Sequence, residues 1–109
     1  MSNLSSITKS EWYVMKVLWG NESCTSGEVH KSLQSTQDWS ITTVKTLLSR
    51  LLKKQVIARD TTKRFHRYYS LKTEMECVKN AMQDLIKQVY GGTINHETNH
   101  FLFFGHNDV

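Results

Sequence analysis

Between Ser40 and Lys54 the apolar residues Val44, Leu47, Leu48 and Leu51 recur at i, i+3, i+4 and i+7, which is one face of an α-helix. The opposite face holds Thr42, Lys45, Thr46, Ser49 and Lys53, with Arg50 at its flank, and no acid at all. A solvated helix surface commonly pairs Glu with Lys at i,i+4. This face offers short hydroxyls and long cations instead, the groups that bond phosphates and base edges in a major groove. Ser40 stands where its hydroxyl can cap the first turn. Upstream, Thr8-Lys9-Ser10-Glu11 has the form of a capping box. The helix it opens carries Trp12, Met15, Leu18 and Trp19 on one core stripe and ends at Gly20 as a C′ residue. Asn21 to Thr25 reads as a turn leading into a very short strand. Ser26 then reads as the cap of a second helix, Gly27 to about Ser35, with Val29 and Leu33 inward and His30 at the surface. After the turn Ser35-Thr36-Gln37-Asp38, Trp39 is placed to pack on the first turn of the next helix as a hydrophobic staple does.

Beyond Lys54 the period changes from that of a helix to that of a strand. Val56 to Thr61 and Arg64 to Leu71 are rich in β-branched and aromatic residues and flank Thr61-Thr62-Lys63, a pattern that predicts a hairpin with a basic tip. In its second strand Phe65, Arg67, Tyr69 and Leu71 alternate with His66, Tyr68 and Ser70, and His66 reads as an exposed strand residue. Thr73-Glu74-Met75-Glu76 is a second capping box. It opens a helix with Val78, Met82, Leu85, Ile86 and Val89 on one face, closing at Tyr90-Gly91-Gly92. That stripe is longer than a small hairpin domain needs, and a second subunit is the natural place to bury it.

A chain of 109 residues accommodates one modest core and a short appendage. Net charge is +4, and its placement says more than its size. Lys45, Arg50, Lys53, Lys54, Arg59, Lys63, Arg64, Arg67 and Lys72 lie between Trp39 and Lys72 with Asp60 as the single acid there; elsewhere acids outnumber bases. No run suggests a membrane span or a signal peptide, so a cytoplasmic protein with no membrane partner is expected. Cys24 and Cys77 form no Cys-x-x-Cys and read as small, partly buried apolar residues. No catalytic constellation with recognisable spacing is present, and an enzyme is not expected.

Helix, helix, helix and basic hairpin in this order define a winged helix-turn-helix, mainly α with a small β-hairpin wing, to which the last helix adds a C-terminal dimerisation element. The expected layout is a DNA-binding domain at 8–71, a dimerisation helix at 73–92 and a tail at 93–109. Ser10-Glu11-Trp12-Tyr13-Val14-Met15 with Leu18-Trp19, Thr43 to Leu51, and Tyr68-Tyr69-Ser70 resemble the penicillinase-repressor family. That family includes the β-lactam-resistance repressors and the CopY-type copper-responsive repressors, and the resemblance runs from residue 8 to about 92. Asp38-Trp39 looks most like the copper-responsive branch. The resemblance implies a homodimeric repressor that binds double-stranded DNA at an inverted repeat of the TACA–TGTA type, here in a copper-homeostasis operon, with a β-lactam-resistance repressor as the alternative.

Carried over by position, the resemblance makes Thr42, Thr43 and Lys45 base contacts. It makes Thr46 and Arg50 phosphate contacts and puts Lys63, Arg64 and Arg67 on the wing; these wing cations, with Ser40, Ser49 and Lys53 of the same helix by their hydroxyls and charge, complete the expected phosphate contacts. The apolar stripe Val78, Met82, Leu85, Ile86 and Val89 is the expected dimer face, and Tyr90-Gly91-Gly92 matches the point where the family's C-terminal dimerisation helices begin. Two departures stand out. The paired Cys-x-Cys motifs that hold zinc or copper(I) in the copper branch are missing, and His100-Phe101 stands where the β-lactam branch has its Asn-Phe cleavage bond. The tail reads as a divergent or truncated end and no cofactor is expected. His96, His100 and His106 are the residues from which a zinc or copper(II) effector site could be built, the first two at i,i+4 spacing. A winged-helix module that binds protein rather than DNA is the competing class.

Overall fold

A computed structural model describes residues 6–91. Two compact units divide the chain, Met1–Cys77 and Val78–Val109. In the first, the elements run α1 (Lys9–Trp19), β1 (Cys24–Thr25), α2 (Ser26–Leu33), α3 (Ile41–Lys53), β2 (Ile57–Asp60) and β3 (Arg67–Ser70); α4 (Glu74–Tyr90) begins there and continues into the second. The fold is a winged helix.

Each helix of the first unit starts where a side chain can satisfy amides that the helix itself leaves open. Thr8 accepts from the Glu11 N–H at 3.2 Å while the Glu11 carboxylate accepts from the Thr8 N–H at 2.9 Å, completing the expected box. α2 departs from expectation: its cap is Thr25, not Ser26, and the helix covers Ser26–Leu33. Glu28 decides this, because it lies three residues after Thr25 and returns a bond to the Thr25 N–H at 2.9 Å. Ser40 caps α3 as expected, accepting from the Thr43 N–H at 3.2 Å. Thr73 and Glu76 exchange the same reciprocal bonds at the head of α4.

The core gathers Val14, Met15 and Leu18 of α1, Val29 and Leu33 of α2, Val44, Leu47, Leu48 and Leu51 of α3, with Cys24, Val56, Ile57 and Cys77. Trp12 and Trp19 are only half-buried at its margin, 5.7 Å apart between ring centroids, so the buried stripe of α1 is rotated toward Val14 and Glu11 relative to the expected one. Gly20 closes α1 with φ −85°, in the right-handed region, so the helix ends without the left-handed turn expected of a C′ glycine. Trp19 donates its indole N–H to the Lys72 carbonyl at 2.9 Å and to Ser70 Oγ at 3.1 Å, tying α1 to the end of β3. His30 is half-buried rather than at the surface: its Nε2 donates to the Trp39 carbonyl at 2.9 Å. Trp39 itself meets Tyr13 edge-on, with ring centroids 5.9 Å apart.

β2 and β3 form the expected hairpin, shortened to four residues each and joined by the exposed segment 61–66. β1 adds a third strand, so the sheet has the order β1-β3-β2, all antiparallel, with Cys24 opposite Tyr68 and Thr25 opposite Arg67. Two residues are too few for sequence periodicity to disclose such a strand's partner. In the second unit, α4 continues through Tyr90 and Gly91 follows at φ +74°. Val78, Leu85, Val89 and Tyr90 are exposed, Met82 is half-buried and Ile86 is buried. No described helix is long and apolar enough to cross a membrane.

Candidate nucleic-acid interface

The α3 surface follows from its pattern. Val44, Leu47, Leu48 and Leu51 are buried, which forces Thr42, Lys45, Thr46, Ser49, Arg50 and Lys53 outward, and all six are exposed. Thr43 is half-buried, with its hydroxyl 3.2 Å from Ser40 Oγ, so those two side chains are engaged in the cap. Thr46 donates its hydroxyl to the Thr42 carbonyl at 3.0 Å, one helical turn back.

Facing α3 is the wing. Asp60 organises its base: Oδ1 accepts from the Thr62 hydroxyl at 2.7 Å and the Thr62 N–H at 2.9 Å, and those bonds hold the Asp60 carboxyl below the usual carboxylate range. Beyond it Lys63, Arg64, Phe65 and His66 are all exposed, and the Arg64 guanidinium lies 5.3 Å from the centroid of the Phe65 ring.

A groove of about 1020 Å³ runs between these elements. The start of α2 (Thr25, Ser26, Gly27, Glu28) lines one side, Lys45 and Ser49 of α3 another, and Arg59, Lys63, Arg64, Phe65, His66, Arg67 and Tyr68 the wing side. Among the residues expected to meet DNA, the structure thus brings Lys45, Ser49, Lys63, Arg64 and Arg67 to one cavity. Thr42, Thr46, Arg50 and Lys53 lie on the exposed face of α3 outside its lining, and Ser40 at the helix head. Arg59, one of the cations of the acid-poor window, and the α2 start were not among the residues expected to meet DNA.

Two cations differ from their neighbours. Arg67 is half-buried at the start of β3 and bonded inside the fold: Nε donates to Ser23 Oγ at 2.8 Å, and Nη2 to the Ser23 carbonyl at 2.9 Å and to Glu28 at 3.2 Å. Lys54 turns inward from the end of α3, its ammonium 2.5 Å from the Glu11 carboxylate and 2.6 Å from the Ser6 carbonyl. Glu11 is fully buried, and its Oε2 has no hydrogen-bond partner among the described residues. Nothing local to either residue announces this pair. Cys24 and Cys77 are buried free thiols whose pKa burial pushes up, which makes them poor nucleophiles. No group of three His, Cys, Asp or Glu that could hold a metal occurs among the described residues. His96, His100 and His106 lie outside those residues.

Comparison with known proteins supplies relatives for this geometry. A family model described as penicillinase repressor matches residues 7–103. The methicillin resistance regulatory protein MecI of Staphylococcus aureus strain N315 is 33% identical over 89 residues, 82% of this chain and 72% of its own length. The penicillinase repressor of Bacillus licheniformis is 31% identical over 102 residues, 94% of this chain and 80% of its own. Two solved structures share the fold. The DNA-binding domain of the repressor BlaI superposes with a TM-score of 0.59 at 35% identity, over 68% of this chain and 90% of that one. The monomeric form of Bacillus licheniformis BlaI in complex with the blaP half-operator gives 0.58 at 34%, over 67% and 89%.

Proposed function

The chain belongs to the penicillinase repressor family, and from that premise we propose that it is a sequence-specific transcriptional repressor that binds an inverted-repeat operator as a dimer. The observation that carries the reading is the groove: Lys45 and Ser49 of the acid-free α3 face and the basic wing line one cavity that a phosphodiester backbone can follow. α3 enters the major groove in this reading. Lys45 with Thr42 reads base edges, Thr46, Ser49, Arg50 and Lys53 grip phosphate, and Lys63 and Arg64 hold the flanking backbone. Thr43 and Ser40 set the helix start, and the exposed Ser40 hydroxyl can donate to a phosphate while its oxygen still accepts from the Thr43 N–H.

Relatives named for methicillin resistance and for penicillinase lend no support to the copper reading drawn from Asp38-Trp39. A target operon of the β-lactam-resistance type is the better-supported choice.

The test is fluorescence anisotropy with a TACA–TGTA inverted-repeat duplex and a scrambled one over a range of salt. With about 6–10 phosphate contacts per dimer, log K should fall against log salt with a slope near −5 to −9. Lys45→Ala should cost about 1–3 kcal/mol on the repeat and relax preference at one position, whereas Arg64→Ala should weaken both duplexes alike. A flat salt plot removes the DNA reading and leaves a protein-binding module.

A further inference from the structure

Glu28 is the single acid among the described residues lining the groove, whose charged neighbours there are Lys45, Arg59, Lys63, Arg64 and Arg67. Its Oε1 does two things at once. It accepts from the Thr25 N–H at 2.9 Å, which caps α2, and from Arg67 Nη2 at 3.2 Å, the longest of the contacts that hold that arginine. The pair faces solvent, with the Arg67 and Glu28 side chains 33% and 55% exposed. Ser23 meanwhile holds Arg67 through Nε and through Nη2. A guanidinium has five donors in a rigid fork, so Arg67 can keep Ser23 and still change its partner on the groove side.

Resting on the DNA reading above, we propose that Glu28 and Arg67 form an exchangeable clasp for a backbone phosphate. In the free protein Glu28 neutralises Arg67 and repels anions that enter the groove loosely. A duplex seated by α3 brings a phosphate close enough to take the Arg67 donor from the carboxylate. The clasp therefore weakens binding to wrong sequences more than binding to the operator, which raises discrimination at some loss of affinity.

Glu28→Gln tests this, because glutamine still completes a capping box while the charge is removed. With a scrambled duplex, affinity should rise on the order of 3–10-fold and the salt slope should steepen by ~0.9 per protomer. The ratio of operator to scrambled affinity should fall. Unchanged or weaker scrambled binding at the wild-type slope overturns the clasp. In the Glu28→Gln, Arg67→Gln double variant the gain should vanish; a gain that persists shows removal of a charge without exchange, and overturns it too. In the wild-type chain, the guanidinium NMR resonances of Arg67 should shift when the repeat duplex is added, and resonances that stay fixed also refute the exchange. If the wild-type chain binds no duplex in a salt-dependent way, the DNA reading fails first and takes the clasp with it.

Discussion

Lys53 and Lys54 are neighbours in sequence, yet Lys53 is exposed while the Lys54 side chain is 17% exposed and paired with a fully buried Glu11. Their substitutions should separate. Removing one partner of a buried pair leaves the other charge uncompensated, so Lys54→Ala should destabilise the first unit by about 3 kcal/mol. Lys53→Ala should change stability by less than about 0.5 kcal/mol and show itself only as a shallower salt slope in DNA binding. Denaturant midpoints and anisotropy on the two variants check both statements. Asp60 gives a residue-scale pH dependence. Its carboxyl pKa is lowered in the fold by the Thr62 hydroxyl and N–H. Its contribution is therefore complete above the unfolded carboxylate pKa and is lost as pH falls through the lower folded value. Between neutral pH and the carboxylate range the Thr62 amide should stay protected from hydrogen exchange, losing that protection in acid, and Asp60→Ala should abolish the pH step.

At the scale of elements, α3 ends in an unusual way for a chain that has glycine available elsewhere. Gln55 takes φ +64°, the Gln55 N–H reaches the Leu52 carbonyl at 3.0 Å, and the Val56 N–H reaches the Leu51 carbonyl at 3.4 Å. This is the Schellman arrangement, and both Leu51 and Val56 are buried. A side chain in that region costs roughly 1–2 kcal/mol. Gln55→Gly should therefore stabilise by about 1 kcal/mol and raise Tm by several degrees, while Gln55→Val should lower it; a thermal melt reads both. The element level is also where sequence is most and least informative. Ser40 and the period of α3 were legible because cap and stripe are local. Thr25 was hidden by the hydroxyl of Ser26 beside it, although Glu28 at the right spacing already favoured Thr25. The pairing of Lys54 with Glu11, and of Arg67 with Ser23 and Glu28, could not be read, because each joins residues far apart in the chain whose meeting depends on the finished core. What looked like a uniform basic surface is therefore a mixture of free cations and internal ties.

Across the whole molecule, the dimer proposal rests on α4, where Val78, Leu85 and Val89 stand exposed at helical spacing. Leu85→Asp should shift sedimentation from dimer to monomer and lower operator affinity by on the order of 10²-fold, because two half-sites would no longer be bound by one linked unit. Binding that is unchanged places the interface elsewhere. The sheet carries a different consequence, one of timing. β2 and β3 are separated by a short loop, but β1 meets β3 with Cys24 opposite Tyr68, so this pairing closes most of the domain's length. Ordering a loop of that size costs about 3 kcal/mol in chain entropy and is repaid by only two residues of ladder. The hairpin should thus assemble early and β1 dock late, and on warming β1 should be first to leave. Ser23, the anchor of Arg67, directly precedes that strand. Loss of β1 would release the arginine before the wing itself unravels, so the groove between α3 and the wing loses its shape at a lower temperature than the domain loses its core.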